Sequence, residues 1–277
     1  MADDLDDEWW VTDRGTEDKC DPADSSDDGQ NTDRSDDGQK NSDDEQKKRP
    51  LEHIEGKESG PKKKRKRNRK KITTELKEKG DSSRATPTDI VGLISKHFEG
   101  KLSAVEWDEL KLDPESDFYA SSEADHTPSS YLRTIVPKWK KLVKSSDLKH
   151  GSPLVLIVTS SAIRAVQLNR GITDFKTEDC KCAKLFAKHF KVEEQQKYLS
   201  KNVCHIGLGT PNRICTLLKS GSLHLDSVRS IVFDWNWRDK KLKRMADIID
   251  IRKDLMVLLQ SYLIPHVRAK KCKIGIL

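Results

Sequence analysis

The sequence has few of the residues from which hydrophobic cores are built. Only 34% of its 277 residues are hydrophobic and 6% are aromatic, whereas 35% are charged. Globular domains are usually nearly half apolar and about a quarter charged. Part of this chain is therefore not expected to lie in a core.

Two further absences exclude whole classes of protein. No apolar run approaches the length needed to cross a bilayer, and the acidic stretch Met1–Trp10 is unlike a secretory signal. The six cysteines are scattered along the chain, which indicates free thiols and not a disulfide framework. We therefore expect a protein of a reducing compartment that has no membrane partner.

Charges of opposite sign are concentrated in two blocks. Residues 1–46 contain eighteen acidic and four basic residues, a net charge of −14, and because the whole chain is +6, residues 47–277 carry +20. Such asymmetry favours a polyanionic partner for the basic part. Residues 1–85 are nearly empty of branched apolar side chains, so we predict a disordered arm over 1–85 and a folded domain over 86–277.

The acidic part repeats a short unit, because Ser26–Gln30 recurs as Ser35–Gln39. Several serines precede acidic residues at a spacing that resembles the preference of casein kinase two, and the phosphorylation candidates are Ser25, Ser26, Ser35 and Ser42. Phosphorylation would add nearly two negative charges per site. Two alternatives stay open: an unmodified solubilising tail, and a tail that folds back on the basic segment until RNA displaces it.

A dense basic run follows the acidic part. Nine of the ten residues from 62 to 71 are positively charged, a density that no globular surface needs. Residues 61–66 closely resemble the best-known short nuclear-import signal, so binding to an import receptor is predicted for Lys62, Lys63, Lys64, Arg65, Lys66 and Arg67. The same charges attract nucleic-acid phosphates without regard to sequence. The alternative is a solvated charge run with no specific role.

The second part of the chain has the spacing of an α/β fold. Thr86 and Ser103 begin two helices, and a third helical stretch is interrupted at Pro137. Buried strands are predicted at Leu154–Val158, Val203–Ile206, Val228–Phe233 and Lys273–Leu277. The segments between them are predicted as helices: Ala162–Asn169, Ala183–Phe190, Val192–Lys201, Thr210 to about Gly221, and Met245–Leu263. Alternating strands and helices predict one parallel sheet with helices on both faces.

In open parallel sheets, ligands bind beyond the carboxyl ends of the strands. Three polar segments are expected there: Ser160-Ser161, Gly209-Thr210-Pro211 and Asp234-Trp235-Asn236. Metal binding is weakly supported, because Cys180, Cys182 and His189 match no usual zinc spacing. The sequence contains neither Gly-x-x-x-x-Gly-Lys-Ser/Thr nor Gly-x-Gly-x-x-Gly, and His205 lies in an apolar strand, as a core histidine does. We predict no cofactor and no metal.

Two strings at the predicted strand ends resemble motifs of DEAD-box helicases. Gly209-Thr210-Pro211-Asn212-Arg213 resembles the Thr-Pro-Gly-Arg motif, and the strand ending at Asp234 stands where the Asp-Glu-Ala-Asp motif would be. The strings Met1–Leu5, Lys184–His189 and Phe233–Asp239 resemble the Cms-type small-subunit ribosome-biogenesis proteins. The Phe-Asp-Trp-Asn-Trp-Arg-Asp string is unusual and therefore specific.

This resemblance implies a single RecA-like, helicase-like domain in a nuclear and nucleolar protein of small-subunit assembly. The implied partners are pre-ribosomal RNA and assembly proteins. A helicase needs the lysine of its phosphate loop and a glutamate that positions the attacking water. This sequence has no such loop, and Trp235 replaces the glutamate, so the chain is not expected to be an enzyme.

The RNA-facing side of the helicase motif is retained. In the helicases the Thr-Pro turn offers a hydroxyl and a helix start to an RNA phosphate, and the predicted RNA-binding residues are Ser160, Ser161, Arg164, Thr210, Pro211, Arg213, Arg238 and Lys240. Arg213 can instead stabilise the motif internally, and Thr210-Pro211 can be only a helix cap. Trp235 and Trp237 can stack on bases, pack in the core, or form the docking surface of a protein scaffold that never touches RNA.

Overall fold

Four helices precede the sheet. The computed structural model describes residues 84–123, 125–145 and 147–277, all within one of the two units into which the chain divides. Thr86 and Ser103 begin the first two helices with reciprocal capping hydrogen bonds, and a proline opens the third. The predicted interruption at Pro137 is confirmed. The helices are α1 (Pro87–Phe98), α2 (Ala104–Leu110), α3 (Pro128–Ile135) and α4 (Trp139–Val143).

Strands and helices alternate along the rest of the chain. The strands are β1 (Val155–Val158), β2 (Cys182–Leu185), β3 (Ile206–Gly209), β4 (Ser230–Phe233) and β5 (Lys273–Ile276). The α-helices are α5 (Ala162–Gly171), α6 (Val192–Lys201), α7 (Pro211–Lys219), α8 (Ile249–Leu258) and α9 (Ile264–Arg268). Short 3-10 turns lie at Thr173–Phe175 and Met245–Asp247, and a π-helical turn joins α8 to α9 at Leu259–Leu263. No helix within the described residues is both long and apolar enough to traverse a bilayer.

The five strands form one parallel sheet in the order β2-β3-β1-β4-β5. From β1 the chain first builds one side of the sheet and then crosses to the other. The carboxyl ends of β1 and β4 therefore flank the topological switch point, where open α/β sheets bind ligands. Phe118 adds one parallel bridge to Ile274 beside β5, and the Tyr131 hydroxyl fixes that segment by donating to Ala120 O and accepting from Ile276 N.

The sheet separates two hydrophobic cores, because alternate residues of its central strand face opposite sides. Leu156 and Val158 pack in the core that contains α1 and α6 to α9, whereas Val155 and Ile157 pack in the core that contains α3 to α5. All four side chains are fully buried. The predicted α/β class, with a parallel sheet covered on both faces, is confirmed.

One element was predicted wrongly. Ala183–Phe190 was expected to be helical, but Cys182–Leu185 forms the edge strand β2, followed by a loop. Its neighbour β3 also lies three residues later than the predicted Val203–Ile206. The physical reason is a close approach: a Cβ on Gly209 would lie 2.0 Å from Leu185 O. The glycine lets β2 complete the sheet, and this tertiary packing overrides the helical spacing of the segment.

Candidate nucleic-acid interface

The carboxyl ends of all five parallel strands lie in a row at the same end of the sheet. We call this row of strand ends the carboxyl edge. The row of strand starts at the opposite end is the amino edge. Val158 is in register with Gly209 on one side and Phe233 on the other, and Phe233 is in register with Ile276. The three polar segments predicted to lie at strand ends therefore do follow this edge directly. The structure brings them together around the switch point.

An ion pair closes the switch point between β1 and β4. Arg164, in the first turn of α5, donates from Nε and Nη2 to the two carboxylate oxygens of Asp234, at 2.7 and 2.8 Å. The side chain of Asp234 is 1% exposed and that of Arg164 is 18% exposed. Burial raises the pKa of Asp234, and the hydrogen bonds from Arg164 act in the opposite direction. Both carboxylate oxygens are thus engaged by the protein itself.

The two tryptophans after β4 have different environments. Trp235 is 4% exposed and packs edge-on against Phe233 in the core. Trp237 is half-buried, and the Arg164 guanidinium lies 5.2 Å from the centroid of its ring. Of the roles considered for Trp235, core packing is the one that the structure shows. Trp237 remains partly accessible at the carboxyl edge.

The hydroxyl groups after β1 are mostly used internally. Thr159 donates from its amide and its hydroxyl to Gly209 O, which ties β1 to β3. Ser161 accepts from Arg164 N and so caps α5. Ser160 is buried, and its hydroxyl has no hydrogen-bond partner within the described part of the chain. Ser160 is therefore the group of this trio whose hydrogen bond is left unmade.

Thr210 stands at the start of the nine-residue helix α7. Its amide donates to Leu185 O, and its half-buried side chain makes no capping hydrogen bond. Pro211 occupies the first helical position, where no amide hydrogen is needed. The free amides of the first turn and the helix dipole favour an anion at this point. Thr210 is thus the N-cap residue of α7, as the helix-cap alternative requires, but its side chain makes no capping hydrogen bond.

Arg213 lies inside the protein and does not face the carboxyl edge. Its guanidinium is mostly buried and donates to Phe190 O at 3.0 Å and to Gln195 Oε1 at 2.7 Å. Gln195 is fully buried and donates in turn to the carbonyl oxygens of Lys184 and Phe186. Of the two roles considered for Arg213, internal stabilisation is the one that the structure shows. Sequence reasoning missed Gln195, because nothing in a polar helix marks one glutamine as buried.

The basic stretch after β4 is an ordered turn. Asp239 Oδ1 accepts from the amides of Lys241 and Lys243, both at 2.8 Å, and this holds Leu242 at a positive φ of 58°. The side chains of Lys240, Lys241 and Lys243 are exposed. Arg238 is half-buried and donates to Leu242 O. The turn therefore holds three lysines outward beyond the end of β4.

The thiols and the core histidine have structural surroundings. Cys180, Cys182 and Cys204 are buried free thiols; burial raises the pKa of Cys180 and that of Cys204 to about 12, which disfavours thiolate ligands. No group of three potential metal ligands occurs among the described residues. His205 accepts from Lys181 N at Nδ1 and lies 3.2 Å from Val143 O at Nε2, as predicted for a satisfied core histidine.

The described part of the chain enters the domain at the carboxyl edge. Ala85 N donates to Asn236 Oδ1 at 2.8 Å, and Arg84 Nη1 donates to the hydroxyl and the carbonyl oxygen of Ser122. These contacts were not predicted. The import residues between 62 and 67 and the candidate phosphorylation sites between 25 and 42 lie outside the described residues.

Comparison with known protein families gives one match that covers most of the chain. Residues 29–276 match the family described as "CMS1: U3-containing 90S pre-ribosomal complex subunit". The chain belongs to this family. The predicted membership in the Cms-type proteins, made from the strings at 184–189 and 233–239, is confirmed.

Curated relatives in the CMS1 family align over much of their own length. Protein CMSS1 of Xenopus laevis is 41% identical over 281 residues and is covered completely, as is this chain. Protein CMSS1 of Homo sapiens is 44% identical over 212 residues, which cover 76% of this chain and 75% of the human one. Protein CMS1 of Chaetomium thermophilum is 36% identical over 60% of this chain and 67% of its own.

Solved structures with a similar arrangement include DEAD-box proteins. A DEAD box protein from Methanococcus jannaschii is 18% identical with a TM-score of 0.36, over 67% of this chain and 46% of that one. The yeast splicing factor Prp28 is 20% identical with a TM-score of 0.38, over 58% of this chain and 36% of that one. This CMS1-family chain therefore spans less than half the length of these two helicases.

Proposed function

We propose that this CMS1-family protein is a non-catalytic, RNA-associated subunit of an early small-subunit pre-ribosomal complex, and that RNA contacts the carboxyl edge of its sheet. The observation that carries the proposal is the Asp239-centred turn, which presents Lys240, Lys241 and Lys243 beyond β4. Exposed lysines on an ordered turn bind phosphates without needing a base sequence.

The start of α7 supplies a second contact. Strands of a sheet are about 4.8 Å apart, so Thr210 after β3 lies roughly two strand spacings from Asp234 after β4. The free hydroxyl of Thr210 and the first-turn amides can donate to a phosphate oxygen. The unpaired hydroxyl of Ser160 follows β1, the strand between them. Arg164 and Arg213 stabilise this edge through their hydrogen bonds to Asp234 and to Gln195 and Phe190 O.

The absence of catalysis is proposed from the positions where a nucleotide hydrolase needs its groups. Asp234 is paired with Arg164, Trp235 is packed in the core, and the sequence has no phosphate-loop lysine. A hydrolase requires an available carboxylate and a cradle for the phosphates. We expect no RNA-stimulated ATP turnover, and turnover abolished by Asp234→Ala would contradict the proposal.

The scaffold hypothesis has weaker support. It needs a docking surface at Trp235 and Trp237, but the first is buried and the second lies against Arg164. Crosslinking in cells separates the two hypotheses. Protein crosslinks at Trp237 without RNA crosslinks at Thr210 or Lys240 would favour the scaffold.

The nuclear and nucleolar location is proposed from family membership together with the basic run between residues 62 and 71. The import receptor would bind Lys62–Arg67, and modification would occur at the serines between 25 and 42. A tagged chain with Lys62–Arg67 changed to glutamine should stay outside the nucleus. Sedimentation of the tagged wild-type chain with large pre-ribosomal particles in a sucrose gradient would support the assembly role.

RNA binding at the carboxyl edge is tested with the full chain. Filter binding to a single-stranded RNA should show affinity that falls several-fold after Lys240→Glu, Lys241→Glu and Lys243→Glu together, and the slope of log affinity against log salt should fall by about 0.7 per lost contact. The matched control reverses three exposed lysines elsewhere: Lys197→Glu, Lys201→Glu and Lys219→Glu. Equal losses in both triple variants would show that only net charge matters.

A further inference from the structure

A basic groove of about 880 Å³ lies between α4 and the 3-10 turn Thr173–Phe175. Two carboxylates, Asp174 and Glu178, line it against five cationic side chains: Arg133, Lys138, Lys140, Lys141 and Lys176. Arg133 donates to Asp174 O, and Lys176 donates to Asn169. The other three lysines are exposed and form no ion pair within the described part of the chain.

The same groove contains two buried polar groups whose hydrogen bonds are unmade. Trp139 is 4% exposed, stacks on Phe175 with ring centroids 4.6 Å apart, and its indole N–H has no acceptor. The buried hydroxyl of Thr177 also has no partner within the described residues. Buried donors without acceptors are costly in a folded protein, and a ligand often completes them. Both can donate to an anionic oxygen.

A second groove, of about 520 Å³, continues the first. The two share Val136, Pro137 and Lys138 as lining residues. The cationic side chains of the second groove are Lys138, Arg229, Lys270, Lys271 and Lys273, and its one lining carboxylate, Asp117, is paired with Lys270 at 2.5 Å. A third groove of about 430 Å³ shares Arg229 and Lys271 with the second.

These grooves lie at the amino edge, away from the strand ends discussed above. Arg229 immediately precedes β4, Lys273 begins β5, and α4 is held beside the start of β3 by His205 and Val143 O. Two basic stretches that are about 130 residues apart in the sequence therefore meet on one surface. We call this surface, from Arg133 to Lys273, the basic band.

We propose that the basic band is a second RNA-binding surface, which takes the phosphate backbone of a duplex RNA segment. The band offers a continuous excess of cationic side chains across adjoining grooves, as the regularly spaced phosphates of a duplex require. Binding that displaces the side chains covering them lets the indole N–H of Trp139 and the hydroxyl of Thr177 donate to phosphate or 2′-hydroxyl oxygens. The protein then holds two RNA segments on opposite edges of one sheet.

The partner is argued to be RNA and not an acidic protein. The CMS1 family is described as a subunit of a pre-ribosomal complex, whose principal polyanion is RNA. This inference does not depend on the carboxyl-edge contacts proposed above.

The test compares variants of the full chain with a 20-base-pair RNA duplex as the probe. Lys138→Glu, Lys140→Glu and Lys141→Glu together should weaken binding roughly tenfold or more near physiological salt and lower the salt slope by about 2.7, or about 0.9 per lost contact. The Lys197, Lys201 and Lys219 charge-reversal variant makes the same change in net charge on other helices and is the control. Equal losses in the two variants, or no loss in the first, would overturn the proposal.

Trp139→Phe tests the two unmade hydrogen bonds. Phenylalanine keeps one ring against Phe175 but removes the indole N–H and part of the buried ring, so stability should fall somewhat. At a temperature where both proteins remain folded, duplex affinity should fall about threefold. Unchanged affinity would mean that the indole N–H of Trp139 does not contact the RNA, and would overturn that part of the proposal. Competition by polyglutamate at the same charge concentration as the RNA would identify an acidic protein as the partner and sink the RNA assignment.

The outcomes also separate this inference from the proposed function. Loss of duplex binding only in the Lys240, Lys241 and Lys243 variant would remove the basic band and leave the carboxyl-edge proposal intact. Loss of duplex binding only in the Lys138, Lys140 and Lys141 variant, with single-stranded RNA binding unchanged in the Lys240, Lys241 and Lys243 variant, would support the basic band and remove the carboxyl-edge proposal.

Discussion

The two edges of the sheet use their basic side chains in opposite ways. At the carboxyl edge, Arg164 and Arg213 are turned inward, onto Asp234 and onto Gln195 and Phe190 O. At the amino edge, Lys270 pairs with Asp117, but Lys138, Lys140 and Lys141 are exposed and have no carboxylate partner within the described residues. A basic residue at a ligand-binding edge therefore indicates a contact with a ligand only when the protein itself does not already supply its hydrogen-bond or ion-pair partner.

This comparison has a physical cause. A guanidinium can satisfy several acceptors in a fixed plane, so it is suited to partly buried pairs, whereas an ammonium on a flexible stem stays strongly hydrated. Arginines close the carboxyl edge for this reason, and lysines remain on the surface of both edges. Substitutions of the arginines should change stability, and substitutions of the lysines should change RNA affinity.

The largest expected effect comes from Arg164→Ala. It leaves the Asp234 carboxylate buried without a partner, so the free energy of unfolding should fall by about 3 kcal/mol. Urea unfolding followed by circular dichroism measures it, and Gln167→Ala, at an exposed residue on the same helix, should change stability by less than about 0.5 kcal/mol. Preserved stability with lost RNA binding would mean that Arg164 is a contact residue and would break the comparison.

Gly209→Ala is expected to lower the free energy of unfolding by about 2 kcal/mol or more, because the added Cβ meets the backbone of β2. Gly92→Ala is the matched control on α1. Its Cβ has nothing within 4 Å, so that variant should be more stable than the wild type by about 0.5 kcal/mol. Thermal unfolding of both variants measures the contrast. A harmless Gly209→Ala would mean that β2 does not need its close approach to β3.

Arg213→Met separates the two roles considered for this residue. The substitution leaves Gln195 Oε1 and Phe190 O without their donor, so stability should fall by about 1–2 kcal/mol while RNA affinity changes less than about twofold. Lys219→Met removes the same charge from an exposed site on α7 and should leave stability unchanged. A loss of affinity at constant stability would place Arg213 on the RNA after all.

The smallest expected effect is a pH dependence of the free energy of unfolding, which comes from His205 at the amino edge. Burial lowers the pKa of His205, so the folded state binds a proton less readily than the unfolded state, whose histidine titrates near about 6.5. The contribution to stability is complete above that pH and is lost as the pH falls below it. Unfolding at pH 7.5 and 5.5 should show the loss.

His205→Asn provides the control, because the amide can still accept a hydrogen bond from Lys181 N but does not titrate. The pH dependence should be flatter in that variant. An unchanged pH dependence would assign the effect to other groups that titrate in this range, such as His266, whose pKa burial also lowers.

Much of the fold follows from the sequence, since continuous apolar runs identified β1, β4 and β5 and capping residues identified α1 and α2. The segment at 182–185 could not be recognised as a strand, because its partner Gly209 permits an approach that only the tertiary structure reveals. The polar ends of the strands were placed correctly from topology. The partners of Arg164 and Arg213 were not, because hydrogen bonds between side chains 70 and 18 residues apart leave no periodic pattern.

The basic band was missed for a related reason. From the sequence, residues 138–141 were placed in a helical stretch and Lys273 at the start of a strand, and Lys270 and Lys271 were given no role. Neither run is dense enough alone to be noticed beside residues 62–71. Their surface exists only after the sheet has brought the start of β5 next to α4.

The anchoring of Ala85 on Asn236 gives the polybasic run a fixed point of attachment. Arg84 follows Lys71 by thirteen positions along the chain, and a fully extended chain of that length spans at most roughly 45 Å. The run is therefore tethered to the carboxyl edge, whatever path it takes. If RNA binds the carboxyl edge as proposed, the same strand would meet the polybasic run at a high effective concentration, so that two weak contacts would act as one strong one.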